Sequence, residues 1–239
     1  WNVHDDGTFD LLSDTPGLRR CCPALDGRPI SPVQVSVERH GPICRIRYQL
    51  EQGLLILALG GEADVLTVDC ELRGIDRAPW FVQPIVGEVV NASRFFRQGL
   101  GFSGPSGFVD LADGQPLASH ESYLVSAISA ADGSTLSVAA LDHRDYLQKT
   151  TLHARESRRG LTNRHLERRW HVLEAGFSTE SVPVSGGELV LPRIQLRPRS
   201  SAWDALHETA IAIGRAMHAR PASPPCYHFC SWYDKGSYF

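Results

Sequence analysis

Side chains able to hold a sugar crowd the end of the sequence, in Pro225-Cys-Tyr-His-Phe-Cys-Ser-Trp-Tyr-Asp-Lys-Gly236. There an indole (Trp232), a phenol (Tyr233), a carboxylate (Asp234) and an ammonium group (Lys235) follow one another. A flat indole can stack on the apolar face of a pyranose, and a neighbouring acid or amine can hydrogen-bond its hydroxyls. Two plainer readings stay open: Trp232 fills a core, and Asp234 and Lys235 belong to a solvated loop.

Hydrolysis of a glycosidic bond needs two carboxyl groups flanking it, about 5 Å apart in a retaining mechanism. No such pair can be nominated. Asp5 and Asp6 are adjacent, so in a strand their side chains diverge. Asp142-His-Arg-Asp145 combines acids with an imidazole, but nothing places a nucleophile beside it, and a satisfied loop cluster is the better reading. Arg155, Arg158, Arg159, Arg164, Arg168 and Arg169 form a basic stretch interleaved with Glu156 and Glu167. No phosphate-cradling glycine loop accompanies it, so a solvated strand pair or an interface using arginine forks is expected. The 10 histidines are scattered and Cys226-x-x-x-Cys230 lacks a second pair, so neither metal nor cofactor is proposed. Asn91-Ala-Ser93 fits the glycosylation triplet, a pattern too common to weigh.

A net charge of -3 argues against nucleic acid or a membrane surface as partner. No run of about 18 apolar residues offers a transmembrane helix. With 42% hydrophobic residues in 239, the chain can bury a substantial core. The six cysteines read as buried free thiols in a reducing compartment, which favours a cytoplasmic setting. The sequence opens on Trp1 without an initiator Met or a secretory signal and stops at Phe239 in mid-pattern, so both ends read as cuts.

Strand signals fill residues 1–198. Val33–Val37 and Ile43–Tyr48 alternate apolar and polar, while Leu54–Leu59 is continuously apolar, as a strand buried on both faces would be. Tyr123–Ile128 and Thr135–Ala140 flank Asp132-Gly133, a hairpin turn, and Glu188–Leu191 and Ile194–Leu196 follow. Further turns are signalled at Asp6-Gly7, Asp26-Gly27, Gly60-Gly61, Asp113-Gly114 and Gly186-Gly187. The spacing predicts a large antiparallel sandwich. Over 199–225, Ser200 or Ser201 can cap a helix whose apolar face is Trp203, Leu206, Ala210, Ile213 and Met217; Pro221 closes it, and Pro221-Ala-Ser-Pro-Pro225 is a stiff connector. Residues 226–239 read as a new strand and loop.

Cys230-Ser-Trp-Tyr233 behind its proline-rich lead resembles the opening barrel strand of glycoside hydrolase family 36, the α-galactosidase-like enzymes. Gly176-Phe-Ser-Thr179 is similar to a strand near the end of that family's sandwich. Arg97-Gln-Gly-Leu-Gly-Phe-Ser-Gly-Pro105 resembles its Gly-Tyr-Gln-Ser-Trp-Ser type loop, with Phe102 at the aromatic position and the tryptophan absent. The resemblance implies a mostly β fold: a β-supersandwich (1–198), a linker helix and connector (199–225), and the first strand of a truncated (β/α)8 barrel (226–239).

It further implies a retaining hydrolase of α-galactosides or a related α-linked sugar. Trp232, Tyr233 and Asp234 would lie in the sugar pocket, and Arg97 and Phe102 on its rim. The family's two catalytic aspartates stand on later barrel strands, beyond Phe239, so this segment alone is expected to be inactive. The partner is then an oligosaccharide or glycoside, with a homo-oligomer open. The alternative is a non-catalytic carbohydrate-binding or oligomerisation sandwich. On the fragment reading, residues 199–239 lack their packing partners.

Overall fold

The computed structural model describes residues 1–11, 16–62, 64–100, 104–111, 118–159, 166–180 and 182–219. Its strands are β1 (Asn2–Val3), β2 (Phe9–Leu11), β3 (Gly17–Leu25), β4 (Arg28–Pro29), β5 (Gln34–His40) and β6 (Ile43–Gln49). Next come β7 (Leu54–Glu62), β8 (Val65–Arg73), β9 (Phe81–Val90), β10 (Arg94–Arg97), β11 (Gly107–Asp110) and β12 (Ser119–Tyr123). The last are β13 (Val125–Ser129), β14 (Thr135–Ala140), β15 (Leu147–Arg159), β16 (Leu166–Ser178), β17 (Glu188–Val190) and β18 (Ile194–Arg199), followed by one helix, α1 (Ala202–Ala216).

All pairings are antiparallel and fall into two sheets. One runs β1-β2-β3-β9-β16-β15-β12, with β4 on β3; the other runs β11-β10-β13-β14-β18-β8-β7-β6-β5, with β17 on β8. Period-2 alternation sends Phe9, Leu18, Ile85, Leu173 and Phe177 from the first sheet to meet Ile46, Leu57, Val68, Ile128 and Leu196 from the second. Each such side chain contributes about 1.5–3 kcal/mol on burial, so this seam holds the sandwich together. The mostly β supersandwich expected from the sequence is the observed architecture, and no closed barrel occurs among the described residues. None of the described helices is long and apolar enough to cross a membrane.

Several local expectations change. The run Tyr123–Ile128 is two strands in different sheets: Leu124 takes a left-handed φ of 67° and hands the chain from β12 to β13. Gly60-Gly61 lies inside β7 rather than in a turn, and Asp113-Gly114 lies outside the described residues. In β7 the inward Leu55, Leu57 and Leu59 are buried, but on the outward face only Ile56 is. Cys21, Cys44 and Cys70 are free buried thiols, and desolvation raises the pKa of each.

The helix departs furthest. Ser201 caps it, accepting from Asp204 N, but it ends at Ala216, ahead of Pro221. It docks on the outer side of β13, β14 and β18 through Ala205 and Thr209, not through the apolar face read from the sequence. The reason lies in the seat: outward residues Ala127, Ser129, Thr135, Ser137 and Ala139 are small and buried, so only small helix residues can approach. Thr209 Oγ1 meets Ser137 Oγ at 2.7 Å. Turned roughly 140° from the seat, Trp203 stays 75% exposed, and its indole stacks on His207 at 5.7 Å.

Glu208 ties the helix to β18, accepting from Arg197 Nη1 at 3.2 Å and from Arg199 Nε at 2.9 Å. The Arg199 guanidinium holds the Glu208 carboxyl below its ordinary value of 4.5. A depressed folded-state pKa stabilises docking above the unfolded value and loses that contribution as pH falls through the folded one. Amide exchange in α1 should therefore accelerate relative to β14 between pH 6 and pH 3. Equal acceleration in both would mean the pair does not hold the helix.

Candidate functional site: an exposed indole over a groove

The loop of residues 74–80 joins β8 to β9 and ends in Arg77-Ala-Pro-Trp80. Its main chain is clamped on both sides. The Thr179 hydroxyl, fully buried, donates to Pro79 O at 2.6 Å, and Thr179 N donates to Trp80 O at 3.0 Å. From the other side, Asp26 N donates to Phe81 O at 2.9 Å and Phe81 N donates to Asp26 Oδ1 at 2.9 Å. Yet the Trp80 side chain is 71% exposed. Leaving an indole in water forgoes about 3 kcal/mol of burial. A rigid loop that holds one out is built to present it.

Two adjoining clefts open beside it. One, about 470 Å³, is lined by Leu25, Asp26, Arg28, Arg77, Pro79 and Trp80. The other, about 630 Å³, keeps Asp26 and Arg77 and adds Gln52, Gly74 and Asp76. The lip at Asp26-Gly27 is the turn signalled in the sequence, with φ of 52° and 73° at its two residues, as a tight hairpin requires. Gly27 N donates to Gln83 Oε1 at 3.1 Å, and Gln83 Nε2 donates to Glu174 Oε2 at 3.0 Å, which anchors the lip to β9 and β16. An aromatic face, two carboxylates, two guanidiniums and an amide thus border one trough. Such a set packs against C–H surfaces and exchanges hydrogen bonds with hydroxyls.

Other surface features fit this chemistry less well. Trp203 lies on the convex flank of α1 and lines none of the described cavities. The outer face of β6–β8 carries a cleft of about 320 Å³ with Arg47 and Asp69 but no aromatic. Two of its charges pair with neighbours, Arg193 on Asp69 at 2.7 Å and Arg47 on Glu38 at 3.2 Å. In Asp142-His-Arg-Asp145 the Asp142 carboxylate is taken by Arg144, whose Nε lies 3.0 Å from it, but the cluster is not satisfied throughout as expected: both ring nitrogens of His143 are buried without a hydrogen-bond partner, nucleophile or other, among the described residues.

Of the residues singled out in the sequence, Arg97 is half-buried at the end of β10, opposite Gly107. Burial, and secondarily the Arg97 charge, lowers the pKa of His120 below its ordinary value. Arg97 lines neither Trp80 cleft. Phe102, Trp232, Tyr233 and Asp234 lie outside the described residues. Trp80 itself belongs to none of the motifs that stand out in the sequence. The signal was there: a tryptophan behind a proline, in a turn-rich stretch between two strands, has no core to enter.

No family model and no curated protein matches the chain. Among solved structures it is similar to heparan sulfate lyase HepC from Pedobacter heparinus, with 10% identity and a TM-score of 0.44 over 74% of this chain and 23% of that one. It is also similar to a heparinase III gene product, with 11% identity and a TM-score of 0.42 over 77% of this chain and 24% of that one. The chain thus spans about a quarter of the length of these proteins. Superposition this loose carries no argument about what this chain binds.

Proposed function

We propose that the chain is the sugar-binding β-sandwich part of a carbohydrate-active enzyme. In the finer form of this reading, the enzyme is a retaining glycoside hydrolase of α-galactosides or a related α-linked sugar. Residues 1–198 form the sandwich, 199–225 the linker, and 226–239 open the catalytic barrel. Trp232, Tyr233 and Asp234 line the pocket of that barrel, with Arg97 and Phe102 on its rim. Two independent features support the reading. The resemblance of Cys230-Ser-Trp-Tyr233 to the opening barrel strand of family 36 points to the enzyme class. The observation that carries sugar binding is Trp80, clamped at its main chain and bare at its indole above Asp26 and Arg77.

Calorimetric titration with raffinose tests it. Trp80→Ala should weaken binding at least tenfold, about 1.4 kcal/mol. Trp80→Phe should retain most of the affinity, because a smaller ring still stacks. Both variants should melt like the parent, since exposed substitutions move stability by about 0.5 kcal/mol or less. Unchanged affinity in Trp80→Ala would remove the groove from the reading. The groove is complete within residues 25–80, which favours a binding module without chemistry as the second reading. Galactose release by a polypeptide extended beyond Phe239, and none by residues 1–239, separates the two.

A further inference from the structure

We propose that the Trp80 groove takes a chain of neutral sugar rings rather than a single ring, one on Trp80 and Arg28 and the next against Gln52 and Asp76. This rests on the sugar-binding reading above. The two clefts share Leu25, Asp26, Arg77, Ala78 and Pro79, so they are the two halves of one trough crossing the end of the sandwich. At about 470 and 630 Å³, each half alone falls within the roughly 300–1,000 Å³ of a whole small-ligand pocket. The trough therefore has room for more than one ring.

Both ends are pre-shaped. The Trp80 end is held by Thr179 and Asp26 as described. At the Gln52 end, Leu50 N donates to Gly53 O at 3.0 Å and Ile75 N donates to Gly187 O at 3.2 Å. Gly53, at φ 92°, lets the β6–β7 turn press against β8: a Cβ there would stand 2.6 Å from Arg73 O. Walls fixed before the ligand arrives lose little entropy on binding, so a second ring in contact with Gln52 and Asp76 adds affinity.

The charge balance selects against polyanions. Asp26 and Asp76 offset Arg28 and Arg77 along the trough. A sulfated or uronate chain needs an excess of cations to replace its counterions, whereas alternating acids and guanidiniums suit hydroxyls.

The experiment is a calorimetric series on residues 1–239 with methyl α-galactoside (one ring), raffinose (three), stachyose (four) and a heparin tetrasaccharide. The expected result is affinity rising about tenfold from the methyl glycoside to stachyose, with heparin weakest. Gln52→Ala combined with Asp76→Ala should bring stachyose down to the level of the methyl glycoside and leave the latter unchanged. Equal affinity for one, three and four rings, with the double variant silent, overturns the chain proposal and leaves sugar binding at Trp80 standing. Tighter binding of heparin than of stachyose overturns the neutral-ligand claim. No binding of any sugar, with Trp80→Ala indistinguishable from the parent, overturns the underlying reading and this proposal with it.

Discussion

Replacing Gly176 by alanine is expected to cost about 3 kcal/mol of folding stability, the upper part of the range for overpacking a core. For a chain of this size that lowers the melting temperature by roughly 10 °C. Gly176 sits where the register between β16 and β9 shifts, between Ala175 and Phe177. A Cβ there would lie 2.2 Å from Val82 O and 2.7 Å from Gln83 Cα. Both are main-chain atoms of the neighbouring strand and cannot swing aside as a side-chain tip could, so β9 itself must move. The damage should reach the groove as well. Phe81, the first residue of β9, follows Trp80 directly, and Thr179 follows β16. Displacing β9 from β16 therefore strains the two hydrogen bonds by which Thr179 clamps the loop. Urea unfolding and raffinose titration of the same variant should both report a loss. Stability within 0.5 kcal/mol of the parent would mean that the two strands do not approach so closely.

That coupling explains what the sequence could and could not tell. Gly176-Phe-Ser-Thr179 stands out in the sequence only as a resemblance, yet its physical work is to let two strands close up and to pin a loop about 100 residues earlier in the chain. Asp26-Gly27 was legible as a turn because its chemistry is local. Its role as the lip of a groove was not, since the opposite wall comes from residues 74–80 and the contact is made only when β3 pairs with β9. Thr135–Ala140 is legible for the same local reason, since its turn at Asp132-Gly133 lies next to it in sequence. The break within Tyr123–Ile128 is not legible, because apolar alternation carries no mark of the residue at which a strand changes sheets. At Leu124 tertiary pairing overrides what a leucine would choose alone. As for the site, Arg97 is placed away from Trp80, and the aromatic residues nominated at the C-terminal end are outside the described part.

The boundary proposed at residue 198 leads to the other large effect. Ala205→Arg should detach the helix while leaving the sandwich folded. Ala205 is fully buried against the seat of small residues on β13 and β14, where no pocket can take a longer side chain. Its carbonyl accepts from Thr209 Oγ1 at 2.7 Å, and Thr209 is the residue that reaches Ser137. A guanidinium forced there would be desolvated without a partner, at a cost of several kcal/mol, and Arg197 and Arg199 on the adjacent strand would repel it. Docking rests on few interactions: two buried side chains and an ion-pair group at Glu208 whose carboxylate is exposed to water. The penalty exceeds what those can return. Circular dichroism should lose most of its 222 nm helical signal, and limited proteolysis should open between Arg199 and Asp204. The main thermal transition should move by no more than about 2 °C. If the sandwich unfolds together with the helix, α1 belongs to the same cooperative unit and the boundary lies beyond Ala216. If it does not, the helix is a removable strap on a self-sufficient sandwich, and its exposed flank at Trp203 and Ile211 faces whatever follows in the chain.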